Sequence, residues 1–140
     1  MVIVFDLDDT LILERDYQIS GLKAVDVYLH AEYNIKGFYE AAVLALESGK
    51  SNIVDVALED ILPKLSQEFN DFQKLALTVY QEHMPSITLL DDALFILDKL
   101  KKANAKLALI TDGRPNGQWN KVNSLRLKEF FPKIVVTGDW

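Results

Sequence analysis

The feature of this sequence that most constrains its fold is an apolar run near the N-terminus that leads straight into carboxylates. Val2–Phe5 (VIVF) shows no alternation of polar and apolar residues, which is typical of a strand buried on both faces of a parallel sheet. Asp-Leu-Asp-Asp-Thr follows directly at 6–10. Parallel sheets bind ligands beyond the carboxyl ends of their strands, so we predict that this acidic turn belongs to a functional site.

Two later segments read as further strands of the same sheet. They are AKLALIT at 105–111 and KIVVTG at 133–138, and each follows a helical pattern. The first of these helices, at 89–103, has acidic residues in its first turn and lysines in its last, and the second begins at Pro115. The apolar stripe of the first helix comprises Leu90, Ala93, Leu94, Leu97 and Leu100.

The distance along the chain between the first two strands predicts a helical insertion. A βαβ unit needs about 30 residues, so about 70 residues between the acidic turn and 105–111 are surplus. They carry four amphipathic stripes: Leu22, Val25 and Leu29; Phe38, Ala41, Ala42 and Ala45; Val54, Ala57, Leu58, Ile61 and Leu65; Phe69, Phe72, Ala76 and Tyr80. We therefore predict an α/β fold: an incomplete Rossmann-like parallel sheet core, residues 1–14 and 86–140, with an all-helical insertion at 15–85.

The composition of the chain limits the classes of partner and the cellular location that we expect. The net charge of −6 disfavours nucleic acid and anionic membranes, because both repel an acidic surface. No apolar run approaches the length of a membrane span. The chain has no cysteine, which excludes thiol chemistry and fits a reducing compartment, so we expect a cytoplasmic protein.

The acidic turn suits phosphoryl chemistry. Asp6 and Asp8 are two residues apart, so in extended backbone they point the same way and repel unless a cation such as Mg²⁺ lies between them. One carboxylate can attack phosphorus, and the other can move the proton. Beyond the second strand, Thr111 offers a hydroxyl, and the backbone N–H groups of its loop, with Asp112 and Gly113, can bind phosphoryl oxygens. Acidic residues after a strand can also cap a helix or face water.

These motifs resemble a known family. DLDDT at 6–10 looks like the D-x-D-x-T motif of the haloacid dehalogenase-like hydrolase superfamily, and LALITDG at 107–113 looks like its second motif. The segment that begins TDGRPNGQWNK resembles the phosphoglycolate phosphatase-like and nucleotidase-like members, which carry a helical cap.

The resemblance implies a role for each matching residue. Asp6 would be the nucleophile and a metal ligand, and Asp8 would be the general acid and base and would ligate Mg²⁺ through its backbone carbonyl. Thr10 would support the loop and Thr111 would bind the phosphoryl group of a small phosphorylated metabolite. Arg114, which follows the Thr-Asp-Gly turn, is a further candidate for contacting phosphate.

Two family motifs, a lysine and a later acidic pair, are not found in this sequence. We interpret Lys121 and Lys133 as solvated, and we interpret the chain as the front portion of a phosphatase. Mg²⁺ binding and turnover should then be weak. The first strand should be an apolar sheet edge that favours self-association. Two alternatives stay open: a non-catalytic binding module, and a signalling domain whose aspartate is phosphorylated but not rapidly hydrolysed.

Overall fold

The structure is a computed structural model that describes residues 1–62 and 67–139. The strands are β1 (Val2–Phe5), β2 (Lys106–Thr111) and β3 (Lys133–Val136). The α-helices are α1 (Glu14–Tyr33), α2 (Phe38–Glu47), α3 (Ile53–Ile61), α4 (Gln67–Glu82), α5 (Asp91–Lys102) and α6 (Pro115–Ser124). Single 3₁₀ turns lie at Leu127–Glu129 and Thr137–Asp139.

The three strands form one parallel sheet in the order β1-β2-β3. Phe5 aligns with Leu109, and Thr111 aligns with Val136. The predicted α/β fold with a parallel sheet and a helical insertion is therefore confirmed. The third strand ends at Val136 rather than at the predicted residue 138, because Thr137–Asp139 turns into a 3₁₀ helix.

The prediction that β1 is buried on both faces is wrong. Ile3 and Phe5 pack into the apolar core with residues of α5 and α6, whereas Val2 and Val4 are 55% and 54% exposed. Ile110 of β2 is also exposed. Right-handed crossovers from β1 to β2 and from β2 to β3 run the same way across the sheet, so they place both helices on one face.

The covered face of the sheet carries the core of this part of the chain. Its fully or nearly fully buried side chains come from the acidic turn, α5, β2, α6 and the segment after α6: Leu7, Leu11, Ile12, Leu97, Leu107, Leu109, Val122, Leu127 and Phe131. Leu94 was predicted to share the α5 stripe but is 42% exposed. Leu7 lies within the acidic turn and Leu11 and Ile12 follow it, so the burial of these three side chains ties the turn to the sheet.

The chain divides into two compact units, Met1–Tyr17 together with Met84–Trp140, and Gln18–His83. In the second unit α1–α4 bury the centre of each predicted stripe, while Ala41, Ile61, Phe72 and Tyr80 are partly buried. Leu65 lies outside the described residues. Within the described part of the chain, no helix combines the length and hydropathy that crossing a bilayer demands.

Candidate active site

The turn after β1 is held by one carbonyl and three apolar side chains. The Leu7 carbonyl oxygen accepts hydrogen bonds from the backbone N–H groups of Thr10, Leu11 and Ile12 at 3.3, 2.9 and 3.3 Å. Leu7, Leu11 and Ile12 are buried, whereas Thr10 is exposed. Apolar anchors alternate with the carboxylates, so burying the anchors fixes where the carboxylates project.

Asp9 has a structural role at this turn. Its backbone adopts the left-handed conformation, with φ at 54°, and its Oδ1 accepts the Glu14 N–H at 2.9 Å. Glu14 is the first residue of α1, so Asp9 satisfies one of the N–H groups that a helix leaves unpaired at its start. The helix-capping alternative therefore applies to this one carboxylate.

The other two carboxylates lie in different surroundings. Asp6 is exposed, and its Oδ1 accepts the Leu7 N–H at 2.7 Å. Asp8 is half-buried, and donors from α6 reach both of its oxygens. Lys121 Nζ lies 2.8 Å from Oδ1, and Gln118 Nε2 lies 3.0 Å from Oδ2. The cation beside Asp8 is thus a lysine of the same chain.

One side-chain amide brings the two predicted motifs together. Gln118 Nε2 lies 2.5 Å from Thr111 Oγ1, 2.9 Å from the Asp112 carbonyl oxygen and 3.0 Å from Asp8 Oδ2. Because a single nitrogen contacts both, the Asp8 carboxylate and the Thr111 hydroxyl lie within two hydrogen-bond lengths of each other. Because β1 and β2 are parallel, Asp6, which follows β1, lies at the same end of the sheet as Thr111, where β2 ends.

The loop after β2 is shaped by close contacts. The carboxylate of the exposed Asp112 accepts a hydrogen bond from the Thr137 hydroxyl. Gly113 has φ at 143°, and a Cβ there would lie 3.1 Å from Gln118 Cδ. Arg114 is exposed and immediately precedes α6, and its carbonyl accepts the Gln118 N–H at 3.0 Å. The loop is therefore held on both sides, by Thr137 and by Gln118.

The interpretation of Lys121 as solvated is wrong. Lys121 is 4% exposed, and its Nζ lies 4.1 Å from the centre of the Tyr17 ring, as well as against Asp8. The inward face of α6 carries Lys121 together with Gln118 and Val122, at helical spacing. That spacing is the signal that could have been read: two polar residues share a helix face with a buried valine. Lys133 is exposed, as predicted.

Tyr17 completes the surroundings of this ion pair. Burial raises the pKa of the Tyr17 phenol, and the negative charge of Asp8 raises it further. The guanidinium of Arg114 opposes this by lowering the pKa of the same phenol. Tyr17 therefore stays neutral beyond the pH at which an ordinary tyrosine ionises, and its ring face is available to the Lys121 ammonium.

Asp6 is the carboxylate of the acidic turn whose oxygens could serve as metal ligands. Among the described residues, no group of three or more His, Cys, Asp or Glu side chains could hold a metal ion. The exposed Asp6 carboxylate offers oxygen ligands, whereas both carboxylate oxygens of Asp8 already face donors from α6. Mg²⁺ is commonly held by one or two carboxylates plus phosphate oxygens, which matches so sparse a set.

Comparisons with known proteins agree with the fold. The sequence model of the family described as haloacid dehalogenase-like hydrolase matches residues 3–140. The chain is 28% identical to a glyceraldehyde 3-phosphate phosphatase from Methanocaldococcus jannaschii, over 99% of this chain and 62% of that protein. The chain thus spans about three fifths of the length of this relative.

Solved structures share the same fold. A haloacid dehalogenase-superfamily hydrolase from Geobacter sulfurreducens superposes with a TM-score of 0.64 at 14% identity, over 99% of this chain and 63% of that one. The hydrolase YfnB from Bacillus subtilis, described as bound to magnesium, superposes with a TM-score of 0.57 at 20% identity, over 99% of this chain and 64% of that one.

Proposed function

Because the chain belongs to the haloacid dehalogenase-like hydrolase family, we propose that it acts as a phosphatase on a small phosphomonoester, through an aspartyl-phosphate on Asp6. The observation that carries the proposal is the shared amide of Gln118, which contacts Asp8 and Thr111 at once. A second carboxylate and the Thr111 hydroxyl, to which we assign phosphate binding, therefore lie near each other at the end of the sheet where the exposed Asp6 follows β1.

The proposed reaction has two steps that use the two carboxylates differently. An Asp6 oxygen attacks phosphorus and forms an acyl phosphate, while the bond from phosphorus to the alcohol oxygen breaks. The departing oxygen keeps the bonding pair and takes a proton from the Asp8 carboxylic acid. Water then attacks phosphorus and gives a proton to the Asp8 carboxylate, while the bond between phosphorus and the Asp6 oxygen breaks. This step releases inorganic phosphate and restores the Asp6 carboxylate.

Thr111 and the loop after it supply the phosphoryl contacts in this proposal. The Thr111 oxygen accepts a hydrogen bond from Gln118, so its own hydrogen remains available to a phosphoryl oxygen. Backbone N–H groups of Asp112 and Gly113 and the exposed guanidinium of Arg114 are the further donors that we assign to the anion.

We propose Mg²⁺ as the cofactor, held by the Asp6 carboxylate and the Asp8 backbone carbonyl. The ion would offset the negative charge that the phosphoryl group brings beside a carboxylate. With so few protein ligands, its affinity in the absence of phosphate should be low.

The substrate class follows from the relatives by analogy. The matching phosphatase from Methanocaldococcus jannaschii is named for glyceraldehyde 3-phosphate, so short phosphorylated metabolites are the first compounds to test. We propose that residues 1–14 and 86–140 carry the chemistry and that the helical insertion at 15–85 selects the substrate. A cytoplasmic location suits such substrates and a chain that has no cysteine.

One observation favours a second candidate, a module that binds phosphate or a partner without turnover. Lys121 and Gln118 engage both oxygens of Asp8, as expected for a carboxylate that has a structural role. The exposed valines of β1 and its place at the edge of the described sheet also support self-association of this chain.

Phosphoenzyme formation separates these candidates. The protein is incubated with acetyl phosphate and Mg²⁺, and both the label on Asp6 and the release of phosphate are followed; release from p-nitrophenyl phosphate is measured in parallel. The phosphatase proposal expects a label that turns over and that Asp6→Asn abolishes, with Asp139→Asn as a matched control. A label without release indicates the signalling alternative, and no label contradicts the phosphatase proposal.

Self-association has its own test. Sedimentation should show a mass that rises with protein concentration, and Val4→Lys should reduce that rise by placing a charge on the exposed sheet face. A monomer at high protein concentration would contradict it.

A further inference from the structure

We propose that Gln118 and Lys121 are positioning residues that hold the Asp8 carboxylate and couple it to Thr111. The inference rests on the proposed function, because it concerns the proton that Asp8 gives and takes. We call these two residues the α6 clamp.

The α6 clamp fixes both oxygens of one carboxylate. Lys121 reaches Oδ1 with a charged donor, and Gln118 reaches Oδ2 with a directional amide N–H. The two residues are three apart on α6, so they project from the same helix face, one turn apart. Two donors on two oxygens define the plane of the carboxylate as well as its position.

Burial makes the α6 clamp stiff. Gln118 is 3% exposed and Lys121 is 4% exposed, so little water competes with their hydrogen bonds to Asp8. The Tyr17 ring covers the Lys121 ammonium on another side. A surface lysine could not hold a carboxylate in this way, because its flexible side chain and screening by water would weaken the pair.

The amide of Gln118 would keep hydrogen-bond partners if Asp8 turned toward a substrate. Its nitrogen carries two hydrogens and faces three acceptors: Asp8, the Thr111 hydroxyl and the Asp112 carbonyl. If Asp8 turns toward a substrate, the two remaining acceptors still satisfy the amide. Gln118 therefore both orients Asp8 at rest and keeps the Thr111 loop in register while Asp8 moves.

Leaving-group dependence distinguishes positioning from a purely structural role. An alkyl phosphate loses a strongly basic alkoxide that needs the Asp8 proton, whereas p-nitrophenolate leaves readily without one. Gln118→Met and Lys121→Met should therefore lower kcat on glycerol 2-phosphate by about tenfold more than kcat on p-nitrophenyl phosphate, because proton transfer commonly contributes about a hundredfold or more. KM should change little in Lys121→Met, because the Lys121 ammonium pairs with Asp8, which does not hold the phosphoryl group in the proposed reaction.

Lys133→Met is the matched control, because it removes the same charge from a lysine that is exposed. It should leave the ratio of the two kcat values unchanged. Equal losses on both substrates in Gln118→Met and Lys121→Met would overturn the inference, because a merely damaged fold affects both reactions alike.

A second measurement needs no turnover. Acetylation of lysine amines, followed by mass spectrometry, should find Lys121 protected relative to Lys133, and Asp8→Asn should make Lys121 reactive. If Lys121 reacts as fast as Lys133 in the unaltered protein, the α6 clamp is absent and the inference fails whatever the enzyme does. If Lys121 is protected but Asp6 is never phosphorylated, the proposed function fails, and the catalytic role of the α6 clamp fails with it.

Discussion

Replacing Lys121 by methionine should destabilise the sheet unit, which comprises Met1–Tyr17 and Met84–Trp140, by about 2 kcal/mol. Methionine keeps most of the apolar packing of the lysine stem but removes the ammonium that lies 2.8 Å from Asp8. Breaking a fully buried ion pair costs about 3–5 kcal/mol, and an exposed pair contributes about 0–1 kcal/mol. The Lys121 side chain is 5% exposed and that of Asp8 is 24% exposed, so the pair lies between these limits.

Two features of the site set the estimate within that range. Asp8 Oδ2 keeps its hydrogen bond from Gln118 in the variant, and water can reach part of Asp8 from the exposed side. The net loss is then close to one charge-assisted hydrogen bond, about 1.5–3 kcal/mol.

Urea unfolding followed by tryptophan fluorescence measures this loss, with Trp119 on α6 as a reporter of the sheet unit. Lys133→Met, at an exposed lysine, should stay within about 0.5 kcal/mol of the unaltered protein. A double-mutant cycle of Lys121→Met with Asp8→Asn should give a coupling energy of about 1–2 kcal/mol. A loss below about 0.5 kcal/mol together with no coupling would refute the buried pair.

Three further predictions concern other contacts. Gly138→Ala should disturb the loop after β2 and lower phosphatase activity by about tenfold or more, because its Cβ would overlap the backbone carbonyl of Gly113. Gly21→Ala should lower the unfolding free energy of the helical unit, Gln18–His83, by about 1–3 kcal/mol despite better helix propensity, because its Cβ would lie 2.5 Å from the Tyr80 ring. Thermal melts of the variant and the unaltered protein measure this loss. The pKa of the Tyr17 phenol is raised in the folded protein, so its contribution to stability is fully present below about pH 10 and is lost as pH rises through the folded pKa. Urea midpoints measured across this pH range should therefore fall less steeply in Tyr17→Phe than in the unaltered protein.

Each of these has a contradicting result. Unchanged phosphate release in Gly138→Ala would show that the loop tolerates displacement. A higher melting temperature in Gly21→Ala would show that the Tyr80 ring moves aside at no cost. Identical pH profiles for Tyr17→Phe and the unaltered protein would show that the phenol titrates as an ordinary one.

Local sequence patterns predicted the strands and the helical stripes well. Val2–Phe5, for example, is a strand with the predicted bounds, because a short β-branched run between turns has few alternatives. Its burial was predicted wrongly, because exposure of Val2 and Val4 depends on which face both crossovers cover. Which face is covered is a property of the whole sheet and cannot be predicted from the sequence of any one strand.

The site shows the same division between local and non-local information. The carboxylates of the acidic turn and Thr111 stand out because strands end there. The role of Asp9 could not be read in the same way, since its partner Glu14 is five residues ahead and depends on a left-handed turn. Helical spacing could place Lys121 on the same face as Gln118 and Val122, but no local pattern predicts its contact with Asp8, which is 113 residues away in sequence.

The most direct test of the account is a crystal structure of the protein with Mg²⁺ and beryllium trifluoride, a mimic of the phosphoryl group. The account predicts beryllium bonded to an Asp6 carboxylate oxygen and a fluorine within about 3.2 Å of Thr111 Oγ1. Beryllium trifluoride bound away from Asp6, or bound to Asp6 with Thr111 out of hydrogen-bond reach, would contradict it.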